Sequence, residues 1–332
     1  MYEFNKTQNC QKIDCKEADF VEIVSLVDGS VDFISNINKR EVKSFREWTR
    51  EYYGQEWAKT HAQMPYAEHG FSMFIRVFHE GKASSVMFDT GGSSQIILEN
   101  ARRMGINLSD VECIVLSHGH YDHFGGLVSA VKAINETSLS IIVHEDMYKT
   151  RGSMNSKGAI RKYSRFPAEV ELSPAKVVST KGPSLTAGGL VCVTGEIPRK
   201  TSFETGYTPH RVLLNGSWQP DPWIRDERAI IINIKRKGLI VLSGCAHAGI
   251  INTIAYAQQI TGITKVYAVM GGFHLSGKEF ENRIQPTIEE LQRINPDLIV
   301  PSHCTGWKAA CALAKKLPEA FVWNSVGNLY RL

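Results

Sequence analysis

The chain has 332 residues, 43% of them hydrophobic and 22% charged. That balance excludes disorder, collagen-like repeats and disulfide-stapled miniproteins, and a chain of this length buries a sizeable core without crosslinks. Thirty-eight Lys+Arg against 34 Asp+Glu leave a formal charge of +4, too mild to call for nucleic acid or a membrane surface and compatible with an anionic small-molecule substrate.

Strand-like and helix-like segments alternate along the chain, which points to an α/β architecture. Segments 21–27, 71–78 and 85–89 read as strands, the last running into Asp89-Thr90-Gly91-Gly92. Ser93 and Ser94 are N-cap candidates for a helix with Ile96, Ile97, Ala101 and Met104 on one face. A short apolar strand at 113–116 leads into a His-rich turn, then a helix at 127–134 and a strand at 139–143. Segment 150–226, rich in Lys, Arg, Pro, Gly and Ser, reads as an irregular, loop-rich stretch. Regularity returns with strands at 229–234, 239–242, 265–269, 298–300 and 321–323, and with helices after Gly249, at 284–294 and at 307–317.

No low-complexity linker divides the chain, so 1–332 is expected to be one domain, with 36–66 as an insertion. Trp48, Tyr52, Tyr53 and Trp57 in that insertion have near-helical spacing and are expected in a core, a lid or a dimer contact. Homo-oligomerisation is left open. The seven cysteines are scattered without a CxxC pair, the first residues lack the apolar run of a signal peptide, and no stretch is long enough for a membrane span. A cytoplasmic location is therefore expected.

The strongest chemical signal is Ser117-His118-Gly119-His120-Tyr121-Asp122-His123, directly after an apolar strand. On a turn leaving a strand, His118, His120, Asp122 and His123 can converge, whereas on a helix positions 118 and 120 would diverge. Imidazole and carboxylate suit zinc, iron or manganese, and a catalytic site keeps coordination positions open. Three later histidines, His247, His274 and His303, also follow apolar strands in small-residue turns, where a second part of a metal site would be built.

His118-x-His120-x-Asp122-His123 resembles the signature of the metallo-β-lactamase fold, and Asp89-Thr90-Gly91-Gly92 resembles its second common element. The resemblance implies a four-layer αβ/βα sandwich with metals at the sheet edges and Asp89 supporting the ligands from behind. Glu68-His69-Gly70-Phe71-Ser72, Gly195-Glu196-Ile197-Pro198-Arg199, Gly244-Cys245-Ala246-His247, Gly271-Gly272-Phe273-His274 and His303-Cys304-Thr305-Gly306 follow in order. Together they resemble the subgroup of 7,8-dihydropterin-6-methyl-4-(β-D-ribofuranosyl)-aminobenzene-5'-phosphate synthases.

This resemblance implies one or two divalent metals, zinc first, with iron, manganese or magnesium as alternatives. One position would use His118 and His120 with a third histidine, the other Asp122, His123 and His303. Most relatives add a bridging Asp near position 245 and many a histidine near 196; this chain has Cys245 and Glu196 there. Either His247 replaces a missing ligand or the second metal is weak or absent, and Cys245 is either a thiolate ligand or a small buried side chain. Asp122, His123 and His247 are the candidate catalytic residues. His274 is a ligand or a substrate contact, and His69 and Arg199 are candidates for supporting the ligands or touching substrate.

Arg199 and Lys200, with Arg225 and Arg228 beside Trp223, offer phosphate recognition or simply a solvated loop. His61, His79, His144 and His210 carry no functional expectation. Two mechanisms fit the cluster: synthesis at a dihydropterin methylene with departure of pyrophosphate, or hydrolysis of an ester, lactone or phosphodiester. A non-catalytic metal- or ligand-binding protein of the same fold is the third reading.

Overall fold

The structure, a computed structural model, describes residues 12–35, 37–61 and 63–332. Its strands read as near-continuous apolar runs because both faces of both sheets are covered. Ala229–Ile234 shows why: Ile230 and Ile232 enter the core between the sheets, while Ile231 turns outward into the core beneath the helices.

One sheet has eight strands in the spatial order Lys176–Ser179, Ser140–Val143, Cys113–Val115, Lys82–Phe88, Ser72–His79, Phe20–Val27, Leu329–Arg331, Val42–Lys43. The other runs Ser184–Thr186, Val191–Val193, Ala229–Ile234, Gly238–Ser243, Val266–Gly272, Leu298–Ser302, with Glu17–Ala18 alongside Ala229–Ile234. Ile23, Ile75, Val86 and Val115 of the first sheet meet Val191, Ile232, Leu242 and Met270 of the second. Helices Ser94–Arg103 and Leu127–Ile134 cover the outer face of the first sheet; Ile250–Thr261, Ile284–Ile294 and Trp307–Lys316 cover the second. This is the expected αβ/βα sandwich.

Helix Ser94–Arg103 starts as its sequence suggests: the Ser93 side chain accepts the Ile96 N–H, and Glu68 accepts from Gly92 N, Ser93 N and Ser93 Oγ. Cys113–Val115 runs parallel to Lys82–Phe88, and Gly238–Ser243, Val266–Gly272 and Leu298–Ser302 are mutually parallel. Parallel strands release their following loops at one edge, which is where ligands bind in such sheets.

Two expectations need correction. Segment 150–226 is not loop-rich throughout: Arg151–Met154, Ile160–Lys162, His210–Leu214 and Ser217–Pro220 form a separate four-stranded antiparallel sheet, and three further strands join the main sheets. Two of its pairings are local hairpins, but the central one, Arg151–Met154 with His210–Leu214, joins residues more than 50 apart, so local pattern could not register it. Segment 321–323 makes only a single bridge, Phe321 to Ile299, while Leu329–Arg331 is an unanticipated strand. The insertion's two short helices pack on the chain itself: Trp48 is buried in the core, and its Nε1–H donates to the Gly327 carbonyl (2.7 Å).

Candidate metal centre

Strand Cys113–Val115 ends in an extended turn, and one helical turn, Tyr121–Phe124, points Asp122 and His123 inward. Behind them lies Asp89, fully buried at φ 59°, a left-handed conformation that Asp tolerates better than most residues. Its Oδ1 accepts the Ser117 N–H, and its Oδ2 accepts both the Ser117 hydroxyl and His123 Nδ1–H, each at 2.6 Å. The Ser117 oxygen then accepts from His118 Nδ1–H (2.9 Å). One carboxylate thus commits the protons of both rings to Nδ1 and leaves both Nε2 lone pairs facing the site.

Two ligand groups result. In the first, His118 Nε2 lies 3.0 Å from His120 Nδ1 and 3.2 Å from His247 Nε2. In the second, His123 Nε2 lies 3.2 Å from Cys245 Sγ and 3.7 Å from Asp122 Oδ2, which stands 3.3 Å from His303 Nε2. Within each group all ligand atoms are within 4.8 Å of one another. His247 thus stands where a third histidine of the first position would be, and the buried Cys245 sulfur lies among the second group.

The donor chemistry fits divalent cations. His247 Nδ1 and His303 Nδ1 are buried without a hydrogen bond, and the lone pair of His118 Nε2 is aimed at two other nitrogens. Burial, and then the neighbouring imidazoles, push His118 and His247 well below the ordinary imidazole range. Burial, then His210, takes His120 to about 3. These rings are neutral at physiological pH, the form that binds a metal. Burial would raise Asp122, but His123 and His303 outweigh it and hold the carboxylate well below its usual range. Burial and the Cys304 sulfur raise the Cys245 thiol, so coordination there would have to displace a proton.

The profile of the metallo-β-lactamase superfamily matches residues 65–195. The 7,8-dihydropterin-6-methyl-4-(β-D-ribofuranosyl)-aminobenzene-5'-phosphate synthase of Methanocaldococcus jannaschii is 33% identical over 272 residues, covering 80% of this chain and 90% of the relative. The chain belongs to the metallo-β-lactamase superfamily. An uncharacterised protein of the same organism is 29% identical over 274 residues, 80% of this chain and 93% of the relative. Among solved structures, Tm1679, a metal-dependent hydrolase of the β-lactamase superfamily, superposes with a TM-score of 0.67 over 93% of this chain and 98% of its own, at 23% identity, a likeness of fold.

Against the usual metallo-β-lactamase pattern, Glu196 does not enter either ligand group; it accepts from His144 Nε2–H (3.1 Å), whose Nδ1 takes the Asp146 N–H. His274 stacks beside His247 (ring centroids 4.2 Å apart) and is grouped with Cys245 and His247, outside the other two sets. His69 stands at the mouth, its side chain 70% exposed and its Nε2 3.5 Å from Asp122 Oδ2. Arg199 turns inward: its guanidinium donates to the carbonyls of Trp223 and His247 and lies over the Trp223 ring, so it braces the His247 turn. Arg228 is fully buried and donates to Thr180, whereas Arg225 is exposed.

Four further polar side chains around the ligand groups escaped sequence reasoning. Glu227, buried and raised by that burial to about 7, accepts the N–H groups of His247 and Ala248. Asp28 accepts the His303 N–H (2.8 Å). Asp226, paired with Arg151, accepts the Gly119 N–H (2.8 Å). His210 Nε2 lies 3.3 Å from His120 Nε2. None sits in a motif; only the Asp226-Glu227-Arg228 run of charge before an apolar strand was a readable signal.

Proposed function

We propose that this protein is a metal-dependent enzyme acting on a phosphorylated, pterin-like small molecule, as a synthase of the dihydropterin–ribofuranosylaminobenzene phosphate type. The observation that carries the reading is two adjacent ligand groups, complete in this chain, in a protein that spans 90% of a synthase relative at 33% identity.

Divalent cations held by His118, His120 and His247 and by Asp122, His123, His303 and Cys245 would supply positive charge against a departing pyrophosphate. Asp89, Glu227 and Asp28 hold the ligand turns rigid by accepting hydrogen bonds from them. His69 is the most exposed imidazole at the site, and we assign it the exchange of a proton with bound substrate. The cytoplasm is the compartment we assign, because Cys245 and Cys304 are free thiols beside the ligands and an oxidising milieu would threaten both.

The test is product formation by purified, metal-loaded protein given a dihydropterin pyrophosphate and ribofuranosylaminobenzene phosphate. Coupled product and pyrophosphate should appear only when both are present. Pyrophosphate released from the pterin alone would reassign the chain as a hydrolase, and inertness toward these and toward an ester, lactone and phosphodiester panel would leave a binding protein.

A further inference from the structure

The small sheet that replaces the expected loops touches the ligand turn at two points. Asp226, held by both guanidinium nitrogens of Arg151 (2.6 and 2.7 Å), accepts the Gly119 N–H. Next to it, His120 Nε2 faces His210 Nε2 at 3.3 Å, with the His120 ring partly and the His210 ring fully buried. Arg151 and His210 belong to neighbouring strands of that sheet.

The proton positions follow from acceptors alone. His210 Nδ1 is 2.8 Å from the Asp221 carbonyl oxygen, which can only accept, so Nδ1 carries the hydrogen. In the neutral ring, Nε2 is then a lone pair. His210 lies outside the ligand groups, so its contact with His120 is a hydrogen bond rather than two lone pairs sharing an ion, and the proton between them belongs to His120 Nε2. That leaves the lone pair of His120 on Nδ1, the atom that lies 3.0 Å from His118 Nε2 within the first ligand group.

We propose that His210 is the positioning residue of the first metal position: it accepts the His120 Nε2–H, fixes the tautomer in which His120 ligates through Nδ1, and makes the small sheet part of the metal centre. A ligating imidazole oriented through its other nitrogen binds more tightly, and loss of such a partner typically costs 10- to 100-fold in affinity. The relay runs Asp221 carbonyl, His210, His120, metal position, and the Asp226–Gly119 bond holds the same turn in register. It rests on the ligand groups and is independent of the substrate.

The experiment is nitrogen-15 NMR of histidine tautomers in the zinc-loaded wild type, together with zinc affinity by chelator competition for wild type, His210→Ala and His210→Gln. His120 should show a zinc-bound Nδ1 and a protonated, slowly exchanging Nε2, and His210 a protonated Nδ1. His210→Ala should weaken one of the bound zinc ions by about 10- to 100-fold, and His210→Gln, whose amide oxygen still accepts, should recover most of that loss. A zinc-bound Nε2 on either His120 or His210 would overturn the proposal. So would unchanged affinity in His210→Ala, equal loss in both variants, or a wild type that takes up no zinc. The wild-type NMR decides the question even where a variant fails to fold.

Discussion

Asp89 Oδ2 and His123 Nδ1 lie 2.6 Å apart with both side chains fully buried, and the same oxygen takes the Ser117 hydroxyl that orients His118. A single carboxylate therefore sets one imidazole in each ligand group. Asp89→Asn keeps the shape but puts NH2 where two donors point. We expect His123 to move its proton to Nε2, toward the second metal position, and affinity there to drop about 10- to 100-fold. Metal content after dialysis, read beside the unfolding midpoint, checks this; a fully loaded variant would show that the tautomer is set elsewhere.

Gly244 sits against the same hub. A Cβ there would lie 2.3 Å from Ser117 Oγ and 2.8 Å from Asp89 Oδ2, closer than packed atoms allow. Gly244→Ala should lower both stability, by about 1–3 kcal/mol, and metal content. Denaturant melts of the metal-free protein isolate the packing part, and a variant that loses stability but loads metal normally would separate the glycine from the hub.

His247 and Cys245 divide between the two groups. His247→Ala should release one metal ion per chain, while Cys245→Ser should keep both ions under excess zinc but bind the second more weakly. Cadmium gives the sharper readout. The wild type should show a thiolate-to-cadmium charge-transfer band that Cys245→Ser lacks, and an unchanged band would remove Cys245 from the ligands.

Proton linkage should be visible without metal. His118, His120 and His247 are held neutral in the fold, with His120 at about 3, but take up protons near pH 6.5 when unfolded. Their folded values are depressed, so stability is whole above pH 6.5 and lost as pH falls below it. Glu227 opposes this. Raised from 4.5 to about 7, it keeps a proton in the fold that the unfolded chain has released, so its contribution grows as pH falls from 7 toward 4.5. His303, raised to about 9, is protonated in both states below pH 6.5, and Asp122 is ionised in both above about pH 5. The three imidazoles thus lower stability as pH falls from 6.5 toward 5, while the buried carboxyls of Glu227, Asp28 and Glu204, raised by burial, work against that loss. Urea titrations of chelator-treated wild type and Glu227→Gln test this: the variant should lose stability more steeply as pH falls from 7 toward 5, and parallel curves would remove Glu227 from the linkage.

By itself, the sequence determined the sandwich and half of the centre. Ile230, Ile231 and Ile232 in one run announce a strand covered on both faces, and His118-x-His120-x-Asp122-His123 on a strand-ending turn announces its own chemistry, because four donors fall within six residues. Only the tertiary structure decided which histidine completes the first group, that Glu196 turns to His144, and that Cys245 reaches His123 across 122 residues. The physical reason is that such contacts are set by where parallel strands end at a shared edge, a matter of sheet order and register rather than of local pattern. His210 is the clearest instance: nothing around it in the chain marks it, and its role appears only when a strand pairing brings it against His120.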